Sequence, residues 1–217
     1  MSKVVVLRPE PGASATLARA KAVGIDAVAI PLFEIAPMAW DIPEGSEFDM
    51  LLLTSANAVR HGGAGLTKLR HLPAYCVGEA TAEAARDAGL TVAGVGLAGA
   101  NALATLVPQN GRPLHLAGVA HRAISGVPAV AVYDSRAIDP PPPLEALQGG
   151  VAMVHSARAG ARLAELVSAR SSIMIAAISP AAAAACGAGW GGIEAVKSPE
   201  DGALLALAGA LWQSRGR

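Results

Sequence analysis

The sequence predicts an α/β protein made of two similar parallel-sheet domains. Short runs rich in valine, leucine and methionine, at residues 4–7, 50–53 and 151–154, alternate with alanine-rich stretches of helical character. Apolar runs of this length that end at Gly, Pro or Ser are typical of strands buried on both faces of a sheet. Because such strands alternate with helices along the chain, we expect parallel sheets covered by helices.

The predicted elements follow one another in a regular order. Each apolar run with β-branched residues or leucines is assigned as a strand, and each alanine-rich stretch with charged residues as a helix. The strands are predicted in residues 3–8, 27–33, 49–55, 73–78 and 151–156, and helices in residues 13–24 and 81–89. Single-domain folds share this alternation, so it does not by itself give the number of domains.

An internal repeat with an offset of 101 residues indicates two domains. Three segments align with later segments in one register: residues 54–58, 77–82 and 101–106 match residues 155–159, 178–183 and 202–207. A common register at three strand-to-helix junctions predicts two copies of one βαβαβα unit.

Two less regular stretches lie where the chain would pass from one unit to the other. Residues 30–38 contain two prolines, and residues 130–138 run into four consecutive prolines, Pro140 to Pro143. Proline favours extended backbone in itself and in the residue before it. We expect both stretches to be extended and to pair as a two-stranded hinge.

The composition argues against several classes of protein. Seventeen basic residues balance 17 acidic ones, so the chain has no polycationic character suited to nucleic acid. Cys76 and Cys186 lack paired spacing, which argues against disulfides and structural zinc and favours two core residues. The first apolar run is too short for a signal peptide, and residues 173–190 are interrupted before the ~20 residues of a membrane span. We therefore expect a cytoplasmic protein.

Small and hydroxyl-bearing residues follow the predicted strands and are candidates for anion binding. The carboxyl ends of parallel strands face a crevice, where the next helix presents unpaired N–H groups and a partial positive charge. Each such residue also fits an ordinary helix N-cap, but their matched occurrence in both units favours a shared cleft. These residues are Thr54, Ser55, Gly78, Thr81, Ser156 and Ser179.

Several basic side chains and Tyr133 are further candidates for ligand binding. Between residues 50 and 133 the chain has six basic and three acidic side chains, and Arg8 and Arg158 lie at predicted strand ends. Most of these cations fit solvated helix faces, yet the bias suits a ligand with several carboxylates. Tyr133, one of two tyrosines, lies in the second hinge stretch, where it could pack or present its hydroxyl as a donor and weak acid.

Other motifs are weak. Residues 94–99 match GxGxxG, but no Asp or Glu follows between Asp87 and Asp134, so the ribose-binding acid of a dinucleotide site is missing. The five histidines have no metal-ligand spacing and are expected at the surface or in loops, although His155 beside Ser156 could reach the cleft. No GxSxG elbow or nucleophile–base pair is present.

Several motifs, in chain order, resemble the uroporphyrinogen-III synthase family. They are Arg8-Pro9, Pro31-Leu32, residues 51–59 (LLLTSANAV), 75–82 (YCVGEATA), 130–135 (VAVYDS), the Ser156 turn and 176–185 (AAISPAAAAA). The resemblance implies two flavodoxin-like or Rossmann-like parallel-sheet domains joined by a two-stranded β ladder. Domain 1 would comprise residues 1–33 and 137–217, domain 2 residues 37–132, and the hinge strands residues 34–36 and 133–136.

The resemblance also implies a lyase reaction without a cofactor or metal. Hydroxymethylbilane, a linear tetrapyrrole with eight carboxylates, would lose water and close to uroporphyrinogen III with ring D inverted. Tyr133 would assist departure of the terminal hydroxyl. The substrate-binding residues would be Arg8, Thr54, Ser55, Asn57, Gly78, Thr81, Ser156, Arg158, Ser179 and Ala181. The family further implies a monomer in tetrapyrrole biosynthesis, with transient handover from hydroxymethylbilane synthase and without nucleic acid or membrane partners.

Three departures from the family pattern keep an alternative open. Ala181 and Ala182 stand where the family often has a threonine pair, and Ser179 stands where it has glycine. Between Gly118 and Val130 the chain is too short for the usual helix. The alternative is a degenerate relative that binds a tetrapyrrole or a protein partner without turnover. A periplasmic-type binding protein is disfavoured by the absence of a signal sequence.

Overall fold

The computed structural model describes residues 4–44, 47–96, 107–108 and 110–214. The described residues contain eleven strands and seven helices, with a short 3₁₀ turn at Glu145–Leu147. In chain order they are β1 (Val4–Val6), α1 (Gly12–Ala22), β2 (Ala27–Ala29), β3 (Phe33–Pro37), β4 (Met50–Leu53), α2 (Ala56–Arg60), α3 (Gly63–Lys68), β5 (Ala74–Val77), α4 (Glu79–Asp87), β6 (Val92–Gly96), β7 (Pro113–Gly118), β8 (Ala129–Ala137), β9 (Val151–Val154), α5 (Ala157–Leu166), β10 (Met174–Ala177), α6 (Pro180–Ala185), β11 (Gly192–Ala195) and α7 (Asp201–Ser214).

The chain divides into two compact units. Unit 1 contains the described residues up to Glu34 and from Ala137 onward, and unit 2 runs from Ile35 to Arg136. Unit 1 has a five-stranded sheet in the order β11-β10-β9-β1-β2, and all of its strands are parallel. Unit 2 has the sheet order β3-β8-β7-β4-β5-β6, in which β8 through β6 are parallel. The predicted α/β class with two parallel sheets is confirmed.

The repeat predicted from the sequence is visible in the element order of the two units. The series β4, α2, β5, α4, β6 corresponds to β9, α5, β10, α6, β11, and each series places its three strands side by side. Residues 101–106, the third repeat segment, lie outside the described residues. Gly94 and Gly96 of the GxGxxG match lie within β6, not in a turn after a strand, and residues 97–99 lie outside the described residues.

Strands β3 and β8 are neighbours in the sheet and correspond to the two proline-flanked stretches. The Met38 N–H donates to the Val132 carbonyl at 3.0 Å, and the Ile138 N–H donates to the Leu32 carbonyl at 3.0 Å. Since the later residue of one strand pairs with the earlier residue of the other, the pair is antiparallel.

The cores follow the alternation of side chains across the strands. In β1, Val5 packs into the cluster on one face of the unit 1 sheet, and Val4 and Val6 pack into the cluster on the other. Cys76 and Cys186 are fully buried, as predicted, and burial raises the pKa of each thiol to about 11. Within the described residues, no helix is long and apolar enough to cross a bilayer.

The connection from β7 to β8 is unusual for parallel neighbours. Residues 119–128 contain turns but no helix, as the length of this segment predicted. In unit 1 the parallel neighbours β1 and β2 are connected by α1. The loop that replaces the helix therefore begins directly at the carboxyl end of β7.

Candidate functional site

A cavity of about 280 Å³ lies within unit 2 at the carboxyl ends of β4 and β7. Thr54 and Ser55 follow β4, the loop after β7 forms a second wall, and the middle of β8 supplies the remainder. No lining residue is acidic. The lining residues are Thr54, Ser55, Gly118, Val119, Ala120, His121, Arg122, Tyr133 and Ser135.

Tyr133 reaches this cavity because Gly118 has no side chain. The two residues are paired across β7 and β8, where the register shifts. A Cβ atom on Gly118 would lie 2.6 Å from Tyr133 Cζ and 2.9 Å from its hydroxyl oxygen, so the phenol lies directly against the backbone of β7. Among the described residues, the Tyr133 hydroxyl has no hydrogen-bond partner, which leaves it available to a ligand.

Two histidines flank the same cavity, and the prediction that the histidines lie at the surface or in loops is wrong for His115. His115 is on β7, is 1% exposed, and its Nε2 lies 2.8 Å from Thr54 Oγ1. Burial, aided by the neighbouring His121, lowers the pKa of His115 to about 4, so it is neutral at physiological pH. His121 Nδ1 lies 2.9 Å from the Gly118 carbonyl oxygen and therefore carries a proton.

Of the other predicted residues of unit 2, Ser55 lines the cavity, whereas Asn57, Gly78 and Thr81 do not. Ser55 caps α2 by accepting the Asn57 N–H at 3.2 Å, and Asn57 Oδ1 accepts a long bond of 3.5 Å from Arg60. Gly78 precedes α4 with φ +73°, a conformation that favours glycine, and the space around it is open. Thr81 is only 5% exposed, so its side chain is buried in α4.

In unit 1, Arg8 belongs to a partly buried polar cluster centred on Asp201. The Asp201 carboxylate accepts from Arg8 at 3.2 Å, from Thr16 at 2.9 Å, from His155 Nε2 at 2.9 Å, and from Arg19. Burial alone would raise the pKa of Asp201, but bonds from His155 and Thr16 outweigh it and lower that pKa. Burial also lowers the pKa of His155, despite Asp201.

Sequence reasoning missed Thr16, Arg19 and Asp201 in this cluster. Thr16 and Asp201 are 185 residues apart, and no local pattern links them. The only available signal was the position of Arg8 and His155 after strands that become neighbours in the sheet, β1 and β9.

The remaining predicted residues of unit 1 lie at the starts of two helices. Ser156 and Ser179 cap α5 and α6 by accepting the N–H groups of Ala159 at 3.1 Å and Ala182 at 3.2 Å. The Arg158 guanidinium lies 4.6 Å from the centre of the Phe33 ring. The exposed Ala181 in the first turn of α6 offers only a methyl group.

The fold and these sites define a two-unit parallel α/β protein whose polar groups gather at the carboxyl ends of its strands. The chain belongs to the uroporphyrinogen-III synthase family, because the family model described as HEM4, uroporphyrinogen-III synthase HemD, matches residues 14–206.

Solved structures support the fold. The chain is similar to uroporphyrinogen-III synthetase from Helicobacter pylori, with a TM-score of 0.68 and 18% identity over 97% of this chain and 100% of that one. It is also similar to a mutant uroporphyrinogen III synthase from Thermus thermophilus, with a TM-score of 0.54 and 17% identity over 98% of this chain and 100% of that one. No curated protein sequence matches the chain significantly.

Proposed function

We propose that this protein is a uroporphyrinogen-III synthase, a lyase that cyclises hydroxymethylbilane with loss of water and inversion of ring D. The observation that carries the proposal is the Tyr133 phenol, which lies over Gly118 in a cavity without acidic residues and has no hydrogen-bond partner among the described residues. Membership of the family supports the same assignment. The proposal includes a cytoplasmic monomer that receives its substrate from hydroxymethylbilane synthase.

The hydroxyl group of hydroxymethylbilane is a poor leaving group, so the reaction requires an acid that protonates it. The Tyr133 hydroxyl donates a proton to the departing hydroxyl of the substrate, which leaves as water. The carbon left behind is an azafulvene-type cation stabilised by its pyrrole nitrogen. The substituted α-carbon of ring D attacks this carbon, and the bond from that ring carbon to its original methylene bridge then breaks. The released methylene carbon forms a bond to the free α-carbon of ring D, and this carbon loses the proton that restores the phenol. One water is released overall, and no cofactor is consumed.

The protein must also hold the substrate so that the correct carbon of ring D reacts. Correct placement of two reacting atoms contributes several kcal/mol to catalysis. In unit 2, Thr54, Ser55 and Arg122 are the proposed carboxylate contacts of the cavity, and Asn57, Gly78 and Thr81 belong to the neighbouring helix starts. In unit 1, the proposed contacts are the residues at the starts of α5 and α6, namely Ser156, Arg158, Ser179 and Ala181, together with Arg8.

The role of Tyr133 is tested with the two tyrosines of the chain. Loss of general-acid assistance in Tyr133→Phe should reduce turnover of hydroxymethylbilane by about 10²-fold. Tyr75→Phe is the matched control, because Tyr75 lies on β5 and does not line the cavity. The rate is measured as loss of hydroxymethylbilane above the spontaneous reaction. Equal rates for the two variants would contradict the proposed role.

A non-catalytic relative is the second candidate. It is favoured by Ala181, whose methyl group cannot donate to a carboxylate. A wild-type protein that binds a tetrapyrrole but leaves the spontaneous rate of cyclisation unchanged would establish this candidate in place of the lyase.

A further inference from the structure

We infer that His115 is a positioning residue that fixes the Thr54 hydroxyl as a hydrogen-bond donor to a substrate carboxylate in the cavity of unit 2. The carboxylate assignment rests on the proposed function, whereas the state of the His115–Thr54 pair does not. Neither the sequence motifs nor the family resemblance assigns any role to His115.

The two side chains are arranged so that only Thr54 faces the cavity. His115 is 1% exposed and does not line the cavity, whereas Thr54 lines it beside Tyr133. The distance of 2.8 Å between His115 Nε2 and Thr54 Oγ1 is that of a well-formed hydrogen bond. His115 therefore acts on a ligand only through Thr54.

The direction of this bond follows from the other nitrogen of the ring. His115 Nδ1 is buried and has no hydrogen-bond partner among the described residues. A proton on Nδ1 would leave a buried N–H donor unpaired, which is rarer and more costly in proteins than an under-satisfied acceptor. The proton of the neutral ring therefore belongs on Nε2, and Nε2–H donates to Thr54 Oγ1.

With its oxygen accepting from His115, the Thr54 hydroxyl can still donate one hydrogen bond. Its oxygen accepts from His115, and its own proton has no acceptor among the described residues, so the hydroxyl donates to whatever occupies the cavity. Arg122 supplies a cation and no carboxylate lines the cavity, so the fitting occupant is a carboxylate oxygen. A ring with the opposite tautomer would take the Thr54 proton and remove this donor.

The tautomer is tested first, without any reference to activity. Long-range ¹H–¹⁵N correlation spectra of ¹⁵N-labelled protein at pH 7 distinguish protonated from unprotonated ring nitrogens, and the signals lost in His115→Gln identify His115. We expect a proton on Nε2 and none on Nδ1. A proton on Nδ1, or on both nitrogens, overturns the inference.

The effect on binding is tested with uroporphyrin I, a tetrapyrrole that carries eight carboxylates, by fluorescence titration. His115→Leu removes the donor to Thr54 and should weaken binding about tenfold. His115→Gln keeps a side-chain N–H and should restore most of the affinity. In a Thr54→Val background, His115→Leu should not weaken uroporphyrin I binding further, because the hydroxyl that His115 positions is already absent.

The binding titration includes a histidine variant outside the cavity as its control. His71→Leu replaces an exposed histidine away from the cavity and should leave the affinity unchanged. Equal affinities of the Leu and Gln variants of His115, an undiminished effect in the Thr54→Val background, or no binding by the wild type would each overturn the inference. A protein that shows the expected coupling but no turnover would instead overturn only the proposed function.

Discussion

At the scale of single residues, His115 connects the stability of unit 2 to pH. Its pKa is lowered to about 4 in the folded protein, chiefly by burial, from the usual value of 6.5. Between these two values the unfolded chain binds a proton that the folded protein does not. The free energy of unfolding therefore falls as the pH falls from 6.5 to 4.

The pH dependence should be larger in the wild type than in a variant without this imidazole. Relative to His115→Gln, the wild type should lose ~3 kcal/mol of unfolding free energy between pH 6.5 and pH 4. Urea denaturation at a series of pH values measures the difference, and the other histidines contribute equally to both proteins. Parallel profiles would show that His115 is not held neutral.

The sequence identified some of these residues and missed others for a physical reason. Tyr133, Thr54 and Ser55 were predicted because they follow or interrupt recognisable strands, and the structure places all three at one cavity. His115 was missed because a histidine within an apolar strand shows its burial and its contact with Thr54, 61 residues away, only after folding. Whether the predicted binding residues contact substrate stays a prediction.

At the scale of elements, the serines that follow β9 and β10 cap the next helices. Each serine oxygen accepts a backbone N–H in the first turn, at 3.1 Å for Ser156 and 3.2 Å for Ser179. A capping serine oxygen keeps its own proton, so capping does not prevent a second bond to a ligand. Capping and binding are therefore compatible roles that need separate readouts.

Two substitutions at Ser156 separate these roles. Ser156→Ala removes the cap and should lower the unfolding free energy by about 1 kcal/mol. Ser156→Asp keeps an acceptor and should preserve stability, but its charge should repel a carboxylate and weaken uroporphyrin I binding. Urea denaturation and fluorescence titration measure the two effects. An Ala variant as stable as the wild type would contradict the capping role, and unchanged binding by the Asp variant would contradict the ligand role.

The repeat predicted the element order because its small residues recur where strand-to-helix junctions fall. Met50 at the start of β4 and Val151 at the start of β9 differ by the predicted 101 positions. The pairing of Gly118 with Tyr133 could not be predicted from the sequence, since a register shift at the last residue of β7 leaves no periodic signature. The Tyr133 ring fits against β7 only because this pairing places it opposite a glycine.

At the scale of the whole molecule, the two units are built on the same strand-and-helix pattern. Each unit has polar groups at the carboxyl ends of its parallel strands, around Tyr133 in unit 2 and at the starts of α5 and α6 in unit 1. The carboxylates of the proposed substrate suit polar groups of this kind. The distinctive outcome of the proposed reaction is the inversion of ring D, which spontaneous cyclisation does not produce.

The most direct measurement is therefore the isomer composition of the product. Hydroxymethylbilane is generated in situ, the protein is added in catalytic amount, and the oxidised uroporphyrin I and III isomers are separated by chromatography. The proposed function predicts isomer III far above the control without protein. Isomer I alone, formed in the presence of protein shown to be folded by circular dichroism, would contradict it.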